Sequence, residues 1–451
     1  MVGFLARKNT VAPADYNRFL IPPAALAVHL SIGQAYAFST FNLPMTRLLG
    51  ISKPLPGDWS LTALGWIFSI SIVFLGLSAA VFGRWVERVG PRMAMFTAAV
   101  CFSGGFMVSA VGITTHQLWL IYLGYGVLGG CGLGIGYISP VSTLIKWFPD
   151  RPGMATGMAI MGFGGGALIA SPLSVALMDY FQTASDTGVL ATFVTMGLVY
   201  LVFMMVGAYF VKVPPPGWAP DGYVAPTESS GMITRANVEV NEAMKTPQFY
   251  FLWGVLCMNV SAGIGVLGQA SPMIQEMFPD QVTPFAAAGF VGLLSLFNMG
   301  GRFVWSSVSD YIGRKNTYRI FFALGIVLYA LVPTTGRLGS VSLFIAGFAV
   351  ILSMYGGGFA TIPAYLRDMF GTMQVGAIHG RLLTAWSTAG VLGPVLVNYL
   401  RQHWIDSGYP KAEAYSITMY IMAGLLLIGF ICNHLMTAVD PKHHFRGKVE
   451  Q

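Results

Sequence analysis

The apolar residues of this chain fall in long runs, not in the alternation of a half-buried strand or the spacing of a surface helix. Short stretches rich in Arg, Lys, Gly and Pro separate the runs. A helix needs about 20 consecutive apolar residues to cross a hydrocarbon core ~30 Å thick. Twelve runs reach that length, at 19–48, 60–83, 91–112, 117–147, 152–180, 188–212, 247–277, 284–309, 315–335, 339–368, 373–402 and 413–436. They predict an all-α polytopic membrane protein with twelve transmembrane helices. Runs beyond the minimum length are accommodated by tilt or by extension into the interface. The first run is too long for a signal-peptide core and lacks an A-x-A-like cleavage site, so it reads as a retained helix.

The pattern is interrupted once, at 213–246. This stretch opens Pro214-Pro215-Pro216-Gly217-Trp218 and continues polar and mixed in charge. Thr246-Pro247 then reads as an N-cap with Pro at the first helical position. The expected organisation is a cytoplasmic N-terminus (1–18), a six-helix bundle (19–212), a cytoplasmic linker (213–246), a second six-helix bundle (247–436) and a cytoplasmic tail (437–451).

The two halves repeat. Gly83-Arg84-Trp85-Val86-Glu87-Arg88-Val89-Gly90 matches Ser306-Ser307-Val308-Ser309-Asp310-Tyr311-Ile312-Gly313 at an offset of 223 residues. Phe148 and Pro172 match Phe370 and Pro394 at 222, and Leu43-Pro44-Met45 echoes Ser271-Pro272-Met273 at 228. Duplicated six-helix halves are a transporter architecture, with the substrate near the midplane between them.

Composition agrees. Of 451 residues, 55% are hydrophobic and only 10% charged, against about 25% charged in a soluble domain. The net charge of +7 is not a nucleic-acid signal, because the basic residues lie in short loops, where they set topology. With the N-terminus inside, eighteen Lys and Arg fall in cytoplasmic segments, Lys448 among them, and five fall outside: Arg47, Lys53, Arg337, Arg401 and Lys411. That predicts both termini in the cytoplasm, in a cell inner (plasma) membrane. Cys101, Cys131, Cys257 and Cys432 all lie in apolar runs, and no pair has metal-ligand or redox spacing. No metal or cofactor is expected.

One charge stands out. Arg302 lies eight residues before Asp310, roughly 12 Å along a helix at 1.5 Å per residue, and no other Lys, Arg, Asp or Glu lies as deep in a run. Placing it there costs about 2.5–3.5 kcal/mol on insertion scales. The readings are a substrate anion that comes and goes, a permanent partner, or snorkelling to the cytoplasmic face; the first is the expectation. Asn298, at i−4, faces the same way.

The acidic-x-x-Gly-basic loop after runs two and eight resembles that of the major facilitator superfamily. Trp147-Phe148-Pro149-Asp150-Arg151-Pro152-Gly153, Lys245-Thr246-Pro247-Gln248-Phe249, Gly301-Arg302 with Ser309 to Arg314, and Phe370-Gly371-Thr372 together resemble the oxalate/formate antiporter family, akin to the monocarboxylate transporters. Glu87 stands where Asp is usual. The resemblance implies two pseudo-repeated bundles of the major facilitator fold and a carboxylate held by the arginine of the eighth helix, here Arg302. A guanidinium fork donates two parallel bonds to a carboxylate. The oxalate transporter of that family adds a lysine in helix eleven, and Trp386 occupies the matching position here. One cation favours a monocarboxylate over oxalate. The nearest other cation is Arg381, beside His379, read as a gate or loop residue.

The resemblance also implies aromatic cavity residues at Tyr36, Tyr137, Phe163, Tyr355 and Phe359, and Gln34 is a further candidate; for each the alternative is ordinary packing or an interface belt. Glu87, Arg88, Arg92, Asp310, Arg314 and Lys315 are expected to gate the cytoplasmic face, against topology signalling alone. His29, whose side chain titrates near about pH 6.5 when unperturbed, is the candidate proton site, against simple packing. The expected partners are a small organic anion, the lipid bilayer and, if transport is symport, a co-transported proton; no nucleic acid is expected, and the protein is expected to act as a monomer. A carboxylate-sensing receptor would need a signalling domain. An enzyme would need a nucleophile–base or metal set, and no His/Asp/Glu cluster or Ser/His pairing occurs in the apolar runs; a primary pump would need a phosphate loop, and no Walker-type loop is present.

Overall fold

The computed structural model describes residues 2–223, 232–267 and 269–446. Residues 224–231 of the expected linker, and Lys448 with the rest of 447–451, lie outside the described residues. The described chain is helical, with only two isolated bridges, Val11 to Val213 and Thr183 to Asp186.

The long helices are α1 (Arg18–Met45), α2 (Leu61–Val89), α3 (Pro91–Thr114), α4 (Leu118–Trp147), α5 (Pro152–Phe181), α6 (Val189–Phe210) and α7 (Pro247–Leu267). They continue with α8 (Pro284–Ile312), α9 (Arg314–Arg337), α10 (Val341–Phe370), α11 in two pieces (Val375–Leu382 and Thr384–Asp406) and α12 (Lys411–His434). Ten of them are long and apolar enough to cross a membrane. The other two, α8 and α11, pack among those ten: α8 lies against α5 and α10, and α11 against α2 and α7.

Local chemistry sets the ends. Ser60 caps α2, accepting from the Ala63 N–H at 3.2 Å, and Thr283 caps α8 through the Ala286 N–H at 3.2 Å. Thr246 accepts from the Phe249 N–H at 3.4 Å, as its place before Pro247 predicts. The repeat seen in the sequence is also geometric. Gly90 and Gly313 close α2 and α8 at φ 84° and 82°, a conformation costly for a residue with a Cβ. Pro140 and Pro363 sit inside α4 and α10, and Pro172 and Pro394 inside α5 and α11.

Both termini lie on one face. The Ala12 N–H donates to the Val213 carbonyl at 2.9 Å, and the Phe445 N–H to the Asn237 carbonyl at 2.7 Å. Asn237 Oδ1 accepts in turn from the Thr372 and Met373 N–H groups, each at 3.0 Å. Arg92, after α2, donates to the Phe4 carbonyl at 3.1 Å and Lys315, after α8, to that of Met436 at 2.6 Å, so the turns after α2, α8 and α10 lie on this terminus-bearing face.

Candidate functional site

Arg302 is 0% exposed. Close approach of α5 and α8 encloses it: a Cβ on Gly164 would lie 2.7 Å from Arg302 Nε. Its Nε donates to Asn298 Oδ1 at 3.3 Å, and one Nη to the Ile160 carbonyl at 3.2 Å. The other Nη, Nη2, has no partner. Among the described residues no carboxylate reaches ion-pair distance of Arg302. It therefore neither snorkels nor has a resident counter-ion, although a buried charge ordinarily needs one.

Aromatic rings from both halves of the chain surround the guanidinium. Its central carbon is 5.7 Å from the Phe163 ring centre and 5.2 Å from that of Phe359, within cation–π range. Trp386 closes the group, with ring centres 4.5 Å from Phe359, 5.3 Å from Phe163 and 5.3 Å from Tyr137. Tyr36 stands edge-on to Phe163 at 5.1 Å, and Tyr355 to Phe359 at 5.3 Å. The two tyrosine hydroxyls lie 3.4 Å apart. All six aromatic candidates thus form one box around Arg302. Gln34 does not join it by any hydrogen bond: its Oε1 accepts from Tyr125 OH at 2.7 Å, tying α1 to α4.

A cavity of about 850 Å³ reaches this box from the face opposite the termini. Its lining includes Tyr36, Asn298 and Gly164 at depth and Asn42, Thr62, Gln269 and Asn398 near the loops. The terminus-bearing face is sealed instead. Asp310 on α8 accepts from the Gly153 and Met154 N–H groups at 2.9 and 2.8 Å, occupying the N-terminus of α5. Glu87 on α2 accepts from the Gly376 N–H at 3.1 Å, occupying the start of α11. Each carboxylate sits where four helical N–H groups are unpaired and the helix dipole favours an anion. Arg314 pairs with Asp310 and, at 3.2 Å, with Asp368; Lys146 pairs with Glu87 at 2.7 Å.

The remaining gating candidates do not span the seal. Arg92 donates to the carbonyls of Ala208 and Tyr209 at 3.2 and 3.1 Å, and Lys315 to that of Met436 at 2.6 Å. These two, again 223 residues apart, fasten the ends of α6 and α12, where cations are favoured. Arg88 is exposed. Arg381 turns away from Arg302, donating to Met244 Sδ at 2.7 Å and the Val240 carbonyl at 3.5 Å. His29 stacks on Tyr137 at 5.3 Å, with Nδ1 2.7 Å from the Ala159 carbonyl and Nε2 3.1 Å from that of Tyr137.

Sequence reasoning missed three contributors. The Ile160 carbonyl is a backbone group with no signal in side-chain identity. Asp368 and Arg367 were visible as an adjacent charge pair at the end of α10, and Arg367 reaches the Pro149 carbonyl at 3.2 Å, adding to the seal.

A family model described as Major Facilitator Superfamily matches residues 19–360. The chain is 29% identical over 380 residues to the oxalate:formate antiporter of Oxalobacter formigenes, covering 83% of this chain and 82% of that one. It is 24% identical over 430 residues to apicoplast pyruvate carrier 1 of Toxoplasma gondii (84% and 76% covered). It is also 24% identical over 383 residues to human monocarboxylate transporter 11 (82% and 76%). Among solved structures, a bacterial homologue of the iron transporter ferroportin in an outward-facing state superimposes with a TM-score of 0.65 at 14% identity, covering 92% of this chain and 98% of that one. The human organic anion transporter MFSD10 gives 0.63 at 14% identity, covering 93% and 100%. At such identities these structures speak for the fold alone.

Proposed function

The chain belongs to the Major Facilitator Superfamily and is a multi-pass membrane transporter, not an enzyme, and we propose that its cargo is a small monocarboxylate of the formate, pyruvate or lactate kind. The observation that carries this reading is the unpaired Nη2 of a fully buried Arg302 inside an aromatic box. A guanidinium needs an anion there, and a carboxylate fits its fork. Similarity to relatives named for oxalate and formate, pyruvate and monocarboxylates supports the class.

The number of cations sets the charge of the cargo. Trp386 supplies none, and Arg381 is bound to Val240 and Met244. A dianion at Arg302 would keep one charge uncompensated in a low-dielectric box, so exchange of oxalate for formate is the second reading. Transport is by alternating access: a six-helix bundle at 19–212 and another at 247–436, joined by the linker 213–246, rock about Arg302. We read the open cavity and the sealed terminus-bearing face as an outward-open state, with Glu87, Asp310 and Arg314 as locks that part when the opposite face closes. Neutralisation of Arg302 by substrate permits the transition, which gives anion exchange, or symport when a proton accompanies the anion. The basic excess on the terminus-bearing face supports cytoplasmic termini in a plasma membrane, and a monomer holds the whole site.

The test is uptake of labelled pyruvate and formate into proteoliposomes by wild type and Arg302→Ala. Uptake by the wild type that the alanine variant loses supports the reading. Equal uptake by both proteins overturns it.

A further inference from the structure

His379 lies on the short first piece of α11 and is 1% exposed, yet neither ring nitrogen has a hydrogen-bond partner. Its ring is 5.8 Å from that of Tyr137, whose hydroxyl is likewise unpartnered. Tyr137 in turn meets Trp386 at 5.3 Å, and the Trp386 indole N–H is unpartnered too. Three buried side chains able to donate hydrogen bonds, His379 and Trp386 each packed against Tyr137, therefore make no hydrogen bond through these groups. Each such group has a desolvation cost of about 1–3 kcal/mol, so their clustering calls for an explanation.

Position supplies one. His379 follows Gly376, whose N–H holds Glu87 in the seal, by three residues, and the helix breaks four residues later at Leu383. Trp386 lies across that break, packed on Phe359 beneath Arg302. His379 thus sits between the Tyr137 and Trp386 side of the Arg302 box and the Glu87 contact of the terminus-bearing face. His379, Tyr137 and Trp386 do not line the cavity open on the other side. On the terminus-bearing side, the helix piece that carries His379 is held by the Glu87 contact at Gly376.

We propose that His379, with Tyr137 and Trp386, forms an inner subsite that receives the carboxylate from Arg302 once the terminus-bearing face opens. This rests on the monocarboxylate reading above. A carboxylate is acceptor-only and has about four lone-pair sites, which suits three neighbouring side chains that can each donate. The imidazole needs only one N–H for this, so the subsite does not depend on a charged histidine.

The test uses membrane vesicles of both orientations with labelled pyruvate and labelled formate, comparing wild type, His379→Leu and His379→Asn. From the terminus-bearing face, His379→Leu raises KM by about five- to tenfold, the weight of one hydrogen bond. From the opposite face KM is unchanged, and His379→Asn, which keeps a donor, restores most of the affinity. Equal KM changes on both faces, no change on either, or an asparagine variant no better than leucine overturns the inner subsite. Wild-type vesicles that carry neither acid overturn the functional reading on which it rests.

Discussion

The hydroxyls of Tyr36 and Tyr355, 319 positions apart in the sequence, meet at 3.4 Å beside the buried Arg302. They make a direct polar contact between the two halves of the aromatic box. A carboxylate entering from the cavity passes Tyr36, which lines it, and can replace one hydroxyl as the other's partner. Tyr355→Phe is expected to raise KM about three- to tenfold, matching one hydrogen bond, with an unchanged melting temperature. Uptake kinetics together with thermal unfolding check this.

Arg302→Lys keeps the charge and loses the planar fork. Uptake should fall about 30- to 150-fold, corresponding to the ~2–3 kcal/mol of a charge-assisted bond. Arg302→Ala should abolish uptake while holding or raising the melting temperature, because a buried cation without a counter-ion is removed. A permanently paired arginine would behave in reverse: the alanine variant would melt earlier and still transport.

Trp386→Lys places a second cation in the box, next to Phe359 and Phe163. Competition by oxalate against labelled pyruvate should rise from weak to strong in this variant. The protein should melt earlier, since a lysine at this depth costs about 2.5–3.5 kcal/mol. Oxalate that already competes strongly in the wild type would favour the dianion reading.

The seal is expected to be set by carboxylate–helix contacts. Asp310→Asn weakens an anion on the N-terminus of α5 and its pair with Arg314, and Glu87→Gln does the same at α11. Either variant should expose cysteines introduced near Gly153 or Gly376 to impermeant reagents from the terminus-bearing face, and cut transport more than equilibrium binding. By contrast, Arg92→Ala should lower the melting temperature by removing the fastener of α6 and leave cysteine accessibility unchanged.

The helices and Arg302 were legible because burial in lipid imposes long apolar runs and makes one interior charge conspicuous. The repeat was legible as well, since Gly90 and Gly313 are turns that few other residues can make. The six aromatic candidates converge on Arg302, an arrangement that the family resemblance carried and periodicity did not. What stayed hidden is relational. Arg92 and Lys315 look like loop cations in the sequence, and only their distance to helix-end carbonyls shows them to be fasteners. Gln34 and Arg381 lie near the box in sequence register, but each is drawn off by a partner from a distant segment, Tyr125 and Met244. The unpartnered nitrogens of His379 follow from tertiary packing alone.

The lone charge of Arg302 makes the empty and loaded proteins electrically different. Loaded with a monoanion, the centre of the molecule carries no net charge; empty, it carries one. A unit charge crossing the full field gains or loses about 2.3 kcal/mol per 100 mV. Reorientation of the loaded protein is then indifferent to membrane voltage, and return of the empty protein is not. One-for-one exchange would run at the same rate at any potential, while net accumulation, which needs the empty return, would speed up or slow down with it.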